Sequence, residues 1–171
     1  MPIRHEAFPA QKGTRSIMYD RPRPDRSVPA MTFDQMLERV RYEGAYPTRE
    51  RAAEAVRAVL AALGRQIAGD ERVNLARRLP REAALALTST APDAEQLTGW
   101  GFVKDLAAGT GVSPAVARWN TGAVLAPVAA LAGPDLLARI LQRLPDGYAL
   151  LFGQAQLPQP QPQPHPQPAS V

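Results

Sequence analysis

The sequence predicts an all-α fold: two tandem helical half-repeats packed into one bundle-like domain between Pro-rich tails. Three observations carry that prediction. Hydrophobic residues make up 45% of the chain but aromatics only 6%, so the core must be mostly Ala, Leu and Val; Ala and Leu lose little freedom in a helix. Apolar residues recur at i, i+3, i+4 and i+7 behind capping residues, the period of a helix with one buried face. Finally, "RRLPREAALAL" from Arg77 and "QRLPDGYALLF" from Gln142 place two Arg-Leu-Pro turns in one register, with Leu79 and Leu144 65 positions apart.

The segment that can fold runs from residue 31 to 152. In "TFDQMLERV" Thr32 caps a first helix and Gln35 reaches back to it, a capping box. Phe33, Met36, Leu37 and Val40 then form one face, and Gly44 stops the helix. Thr48 starts a longer helix with Glu50 in its first turn and Val56, Val59, Leu60, Leu63 and Ile67 as its stripe, ending at Gly69. Asp70 is expected to cap a third helix bearing Val73, Leu75, Ala76 and Leu79. Pro80 interrupts it and opens a short fourth helix, Arg81–Leu87, because proline removes a donor that a first helical turn does not need.

The second half repeats the plan with weaker signals. "STAPDAEQ" is a turn, and Phe102, Val103 and Leu106 form an apolar face that Gly109 and Gly111 are expected to break. Ser113-Pro114 is a cap followed by proline at the first helical position. Val116, Trp119, Ala123 and Val124 are placed on one side of the next helix. Gly133-Pro134-Asp135 restarts the chain, Leu136, Leu137, Ile140, Leu141 and Leu144 form a stripe, and Pro145 precedes a last turn through Leu151-Phe152. "AVRAVLAAL" and "NTGAVLAPVAAL" share "AVL" at the same 65-residue offset, counted from Ala58 to Ala123. Two motifs in one register argue for tandem duplication, with half-repeats of about 31–88 and 97–152.

The stretch "MTFDQMLERVRYEGAYPTRERAAEAVRAVLAALGRQIAGDERVNLARRLPREAALAL", with its echo ending "LLARILQRLPDGYALLF", resembles the DUF2267 family, bacterial proteins of unknown function. The resemblance covers about Met31–Phe152. It implies a helical fold of two half-repeats, each closing in a Leu-Pro element, and no established activity; it transfers no catalytic residue. The second half departs from the pattern at Gly122 and Pro127, inside its long helix, which predicts less regular packing there.

Outside the domain, residues 1–30 form an Arg/Pro-rich arm with six basic residues, expected to be disordered or loosely docked. Residues 153–171 form a Pro/Gln-rich tail without formal charge, expected to be extended and polyproline-like. Met31 offers an alternative translation start. The formal net charge of +4 is concentrated in the arm: up to Met31, six cations face three acids. No run of about 18 apolar residues is present, so no membrane span is expected. The first 30 residues lack the apolar core of a secretory signal. A cytoplasmic protein, monomer or homodimer, is the expectation.

The residue types weaken most catalytic readings. The chain has no cysteine, and its two histidines, His5 and His165, stand in the terminal segments. No metal site, cofactor or Ser-His or Cys-His nucleophile is therefore expected in the folded part. "GTGVSP" (Gly109–Pro114) precedes a helix, but no Lys-Ser/Thr pair follows it and no strand precedes it, so it reads as a helix–helix turn. Glu50 and Glu54 share a helix face, interleaved with Arg49, Arg51 and Arg57, and read as a solvated surface.

Two groups remain as candidates. Arg72, Arg77, Arg78 and Arg81 cluster at the third helix and its proline turn, where they can meet nucleic-acid phosphates or an acidic partner. The bland alternative is that they complement the helix dipole. Trp100 and Trp119 flank the start of the second half, as filling for the joint between repeats or as the lining of an inter-repeat pocket. The expected function is a non-enzymatic interaction or scaffold protein with an unidentified protein partner. A weak nucleic-acid binder comes second, and a small-ligand binder at the repeat joint third.

Overall fold

The computed structural model describes residues 30–154, so the readings for the arm and most of the tail lie outside the described residues. Among the described residues there are seven helices and no strand: α1 (Phe33–Glu43), α2 (Arg49–Gln66), α3 (Gly69–Arg78), α4 (Arg81–Thr88), α5 (Gly99–Thr110), α6 (Pro114–Arg143) and α7 (Tyr148–Leu151). α6 is bent rather than straight. Gly133 has φ 73° and ψ 165°, outside the helical region, and divides α6 into two arms just before Pro134.

Caps fix most of the starts. Thr32 Oγ1 accepts from the Gln35 amide while the Gln35 side chain accepts from the Thr32 amide. Thr48, Thr98 and Ser113 each accept from the amide three residues on, meeting a donor that the first turn leaves unpaired. Asp70 does not cap α3. The helix begins one residue earlier, at Gly69 (φ 68°). That left-handed residue turns the chain, so Asp70 falls in the first turn, where its charge complements the dipole. Gly109 does not break α5 either; it is held inside the helix, and the left-handed Gly111 (φ 69°) ends it.

The apolar faces converge on one core. α2 supplies Val56, Val59, Leu60 and Leu63; α1 adds Met36 and Val40. Leu75, Leu79, Ala83 and Leu87 close the first half beneath them. From the second half come Phe102, Leu106, Val124, Leu125, Val128, Leu136 and Ile140. α6 packs against α1, α2 and α3 as well as α5 and α7, so it joins the halves. By length and composition α6 could cross a membrane, but half of its apolar window is buried among the other helices.

Pro127 does not disorder α6. It lies buried within the helix beside Ala123, Val124 and Leu125, also buried. The face reading for this helix needs correcting: Val116 and Trp119 point outward, whereas Ala117, Thr121, Val124, Leu125 and Val128 point in. With apolar residues all round α6, periodicity alone does not fix the phase. Small Ala117 and Thr121 are the ones that fit against the neighbouring helices.

Element boundaries recur in the 65-residue register. Arg49 and Pro114 open α2 and α6, and Arg78 and Arg143 close α3 and α6. Leu79 and Leu144 are buried extended residues, at φ −82°, ψ 152° and φ −87°, ψ 146°. Their amides donate to Leu75 and Ile140, which stand in the same register.

The helices approach closely at Gly64 of α2, where an added Cβ would sit 1.8 Å from the Leu87 carbonyl oxygen at the end of α4. Intrinsic propensity alone favours alanine over glycine in a helix interior by about 1 kcal/mol. Steric overlap should reverse that: Gly64→Ala is expected to lose about 1–3 kcal/mol in urea denaturation, and a gain would show that α2 and α4 do not cross so closely. Each half is too small to bury a large core alone. Leu60→Asp or Ile140→Asp should accordingly unfold both halves in a single thermal transition followed by circular dichroism, and two separate transitions would contradict the shared core.

Candidate functional site

The candidate site is an open groove of about 480 Å³ lined by Glu43, Ala115, Arg118, Trp119, Gly122, Ala123, Leu150 and Leu151. It lies where the end of α1, the first arm of α6 and α7 meet. Trp119 is 59% exposed and Leu150 61% exposed. The groove thus brings two exposed large apolar side chains together.

The surroundings hold the groove in place. Trp119 Nε1 donates to the Gly44 carbonyl at 3.0 Å, which ties α6 to the end of α1. One residue along, Asn120 Oδ1 accepts from the Tyr46 hydroxyl at 2.6 Å. The Tyr46 ring lies over Gly44, where any Cβ would come within 2.2 Å of its Cε2. Gly44 itself has φ −91°, so space and not backbone conformation requires glycine there. On the other wall, the buried Tyr148 packs edge-on against Phe102, with ring centroids 5.6 Å apart. The Gly99 amide donates to the Asp146 carbonyl at 2.9 Å, an approach so close that a Cβ on Gly99 would sit 2.6 Å from Gly147. With Tyr148 and Leu151 facing the core, α7 turns Leu150 outward.

The two tryptophans are not the filling of a joint. Trp100 is 57% exposed and does not line the groove, so the structure does not bring Trp100 and Trp119 into one inter-repeat pocket. Trp119 lines the groove beside the small Ala115, Gly122 and Ala123, with its indole N–H bonded to the Gly44 carbonyl. Leu150, Arg118 and Glu43 were missed as groove residues. "YALLF" is an unbroken apolar run, and nothing in it distinguishes the one leucine that faces out.

The four arginines have different fates. Arg72 is half-buried, and its Nη2 donates to the Leu87 carbonyl at 3.2 Å and to that of Thr90. Arg78 Nη1 donates to the Ala132 carbonyl at 2.7 Å, just before the break in α6. Arg77 and Arg81 are exposed, and among the described residues no ion pair holds them. Two of the four guanidinium groups are thus occupied with backbone oxygens. Arg143 reaches the other way, with Nε 3.2 Å from the nearly buried Glu71 Oε2 but off the line of a hydrogen bond. A smaller cavity of about 280 Å³ adjoins that pair, lined also by Gln66, Gln96 and Leu144. Gln66 is fully buried there and accepts from the Leu97 amide at 2.7 Å.

Among the described residues no group of three or more His, Asp, Glu or Cys side chains converges as a metal site. The shifted groups are structural. Arg49 and then Arg41 hold the Glu38 carboxyl below its usual range. Burial raises the Tyr148 phenol, with the Asp105 charge adding to the effect. Burial alone pushes Tyr46 up from 10.0 to about 12. A phenol with a raised folded-state pKa stabilises the fold fully below its unfolded value, and that contribution is lost as pH rises from 10 through 12. The melting temperature should therefore fall over this window, and less steeply in Tyr46→Phe, where the Tyr148 contribution remains. An equally steep fall in the variant would refute a link between Tyr46 ionisation and stability.

Comparison with curated proteins and with solved structures finds no match. The family described as "Uncharacterized conserved protein (DUF2267)" matches residues 33–151, which spans α1 to α7. With most of its length covered by that match, and with the all-helical fold that the resemblance implies, the chain belongs to the DUF2267 family.

Proposed function

We propose that this is a non-enzymatic interaction protein of the bacterial cytoplasm, a doubled helical unit that docks a protein partner in the α6–α7 groove. The observation that carries the reading is the pair Trp119 and Leu150, held outward on one groove by a rigid frame. Burying an aromatic side chain covers about 150–250 Å², worth about 25 cal/mol per Å², so leaving Trp119 more than half exposed forgoes roughly 2–3 kcal/mol. A partner that covers it recovers that energy without any ordering of the groove. Aromatic anchors of this kind dominate protein–protein interfaces. The residue types agree: no His or Cys occurs between residues 30 and 154.

A second reading, weak nucleic-acid binding, is favoured by the exposed Arg77 and Arg81, together with the six basic residues in the sequence of the arm. It has two available cations on α3 and the Pro80 turn, fewer than the four counted in the sequence, because Arg72 and Arg78 bond carbonyls.

One comparison separates the readings. Complexes are captured from cell extract with the full chain, with Leu150→Asp, and with Arg77→Ala/Arg81→Ala. Leu150 is exposed, so its substitution should leave stability within about 0.5 kcal/mol. A specific partner retained by the wild type should be lost about tenfold or more in Leu150→Asp, which is 1.4 kcal/mol of binding, and kept by the arginine variant. Equal retention by Leu150→Asp would overturn the groove reading. Salt-sensitive retention on duplex DNA, abolished by the arginine changes, would establish the second.

A further inference from the structure

Away from the α6–α7 groove, the smaller cavity lies where the start of α3 meets the end of α6. Its volume is about 280 Å³, room for about nine water-sized groups at roughly 30 Å³ each. Ile67, Ile140 and Leu144, all buried, form its apolar lining. Gln66, Gln96, Glu71 and Arg143 form the polar lining. The cavity thus stands at the joint between the halves, but neither tryptophan lines it.

The polar groups differ in how far they are committed. Gln66 Oε1 accepts from the Leu97 amide at 2.7 Å, and its Nε2 donates to Asp93 Oδ2 at 3.3 Å. Gln96 Nε2 donates to the Gln66 carbonyl at 2.8 Å. These bonds hold the wall in place. Glu71 is different. Its side chain is only 8% exposed, and Oε2 is sealed from water without a hydrogen bond, with Arg143 Nε 3.2 Å away but off line. A buried carboxylate oxygen is ordinarily hydrogen-bonded, because nothing else offsets the loss of its water. Arg143 keeps 67% of its side chain exposed, so it can move off Glu71 without a change of solvation.

The other Arg-Leu-Pro turn is closed more completely. There Arg78 Nη1 donates to the Ala132 carbonyl at 2.7 Å and lies beside Gly133. In the 65-residue register Arg143 corresponds to Arg78, and Ile67 and Ala68 correspond to Ala132 and Gly133. Arg143 turns to Glu71 instead, and Ile67 and Ala68 border the cavity. Ala68 also leaves the start of α3 without a side-chain cap.

We propose that this cavity binds a small zwitterion, a free α-amino acid with a short apolar side chain, with its ammonium on Glu71 and its carboxylate on Arg143. Binding is an exchange of ion pairs. Arg143 swings off Glu71, and the ligand's ammonium brings three N–H donors to the exposed carboxylate. The freed guanidinium takes the ligand's carboxylate as a two-pronged pair. Every charge keeps a partner throughout. A lone anion would draw Arg143 away and strand Glu71 as a buried charge, which is costly; a lone cation would leave Arg143 unpaired. The uncapped start of α3 favours the ligand's carboxylate further. The aliphatic side chain meets Ile67, Ile140 and Leu144, and the volume limits its size.

The test titrates the full chain with each common α-amino acid, followed by heteronuclear NMR. Methylamine and acetate serve as the two halves of the ligand. Short aliphatic amino acids should shift the side-chain amide signals of Gln66 and Gln96 saturably, and either half alone should bind about tenfold more weakly or worse. Glu71→Gln keeps the shape and removes the charge, and should weaken amino-acid binding about tenfold or more. Ala68→Leu, at an exposed position on the cavity, leaves both charged residues in place and should block binding by filling the space, so a folding defect in the first variant does not decide the result. Saturation by no amino acid would overturn the proposal. Methylamine or acetate binding as tightly as the amino acids would overturn the zwitterion, and undiminished affinity in either folded variant would overturn the site.

Discussion

The packing of α6 across α1, α2 and α3 is the contact on which the rest depends. Leu60 and Leu63 on α2 and Val124, Leu125 and Val128 on α6 all lie in one buried cluster. Without α6, the inner face of α2 would be open to water; without α2, α6 would lose one of the five helices that together bury half of its apolar window. Aromatic residues contribute little, so contact must come from helices lying close, and that closeness is set by small residues. Gly64 admits the Leu87 carbonyl, Gly99 admits Gly147, and Ala52, Ala83 and Ala117 are buried without exposure.

The two Arg-Leu-Pro turns couple the halves in a second, reciprocal way. Arg78 closes α3 and donates to Ala132, where the arms of α6 part. Arg143 closes α6 and pairs with Glu71 at the start of α3. Each arginine crosses to the other half at the equivalent junction. The leucine buries itself, and the proline lets the backbone leave the helix without stranding a donor. Arg78 also meets a need created by its target: the break at Gly133-Pro134 interrupts the helix beyond Ala132, and a guanidinium at a helix end satisfies a carbonyl and complements the dipole. The two turns thus use the same three residue types for contacts across the halves.

Legibility in the sequence followed the strength of local chemistry. Helix starts were readable where a side-chain oxygen does the capping, as at Thr32, Thr48 and Ser113, and the stops at Gly44 and Gly111 were readable as glycine. Asp70 misled because a left-handed glycine had already begun the helix, so the best capping residue type was not at the capping position. Faces were readable in α1 and α2, where charged residues mark the solvent side. They were ambiguous in α6, whose alanines fit both a core and a surface; Trp100 and Trp119 were read as filling for a joint because exposing an indole costs burial energy. The arginine cluster was legible as charge but not as geometry. Whether a guanidinium meets a partner or a carbonyl depends on residues such as Ala132, far away in sequence.

The exposed side of α6 follows from the same constraint that builds its buried side. A helix that must lie close to five neighbours needs small residues at its contacts, and an Ala-rich sequence supplies them all round. The exposed stretch from Gly122 to Gly133 is then small-sided and uncharged, with charge returning at Arg118 on one side and Asp135 on the other. Trp119 and Leu150 change that locally. Their placement costs the fold burial energy, yet each is fixed by a bond or packing contact beside it: Trp119 by its donation to Gly44, Leu150 by the burial of Tyr148 and Leu151 on either side. A residue left outside by poor packing would have no such support. Rigid support under an exposed aromatic side chain removes the ordering cost from whatever binds there, and that is the physical argument behind the proposal that the α6–α7 groove is a docking face.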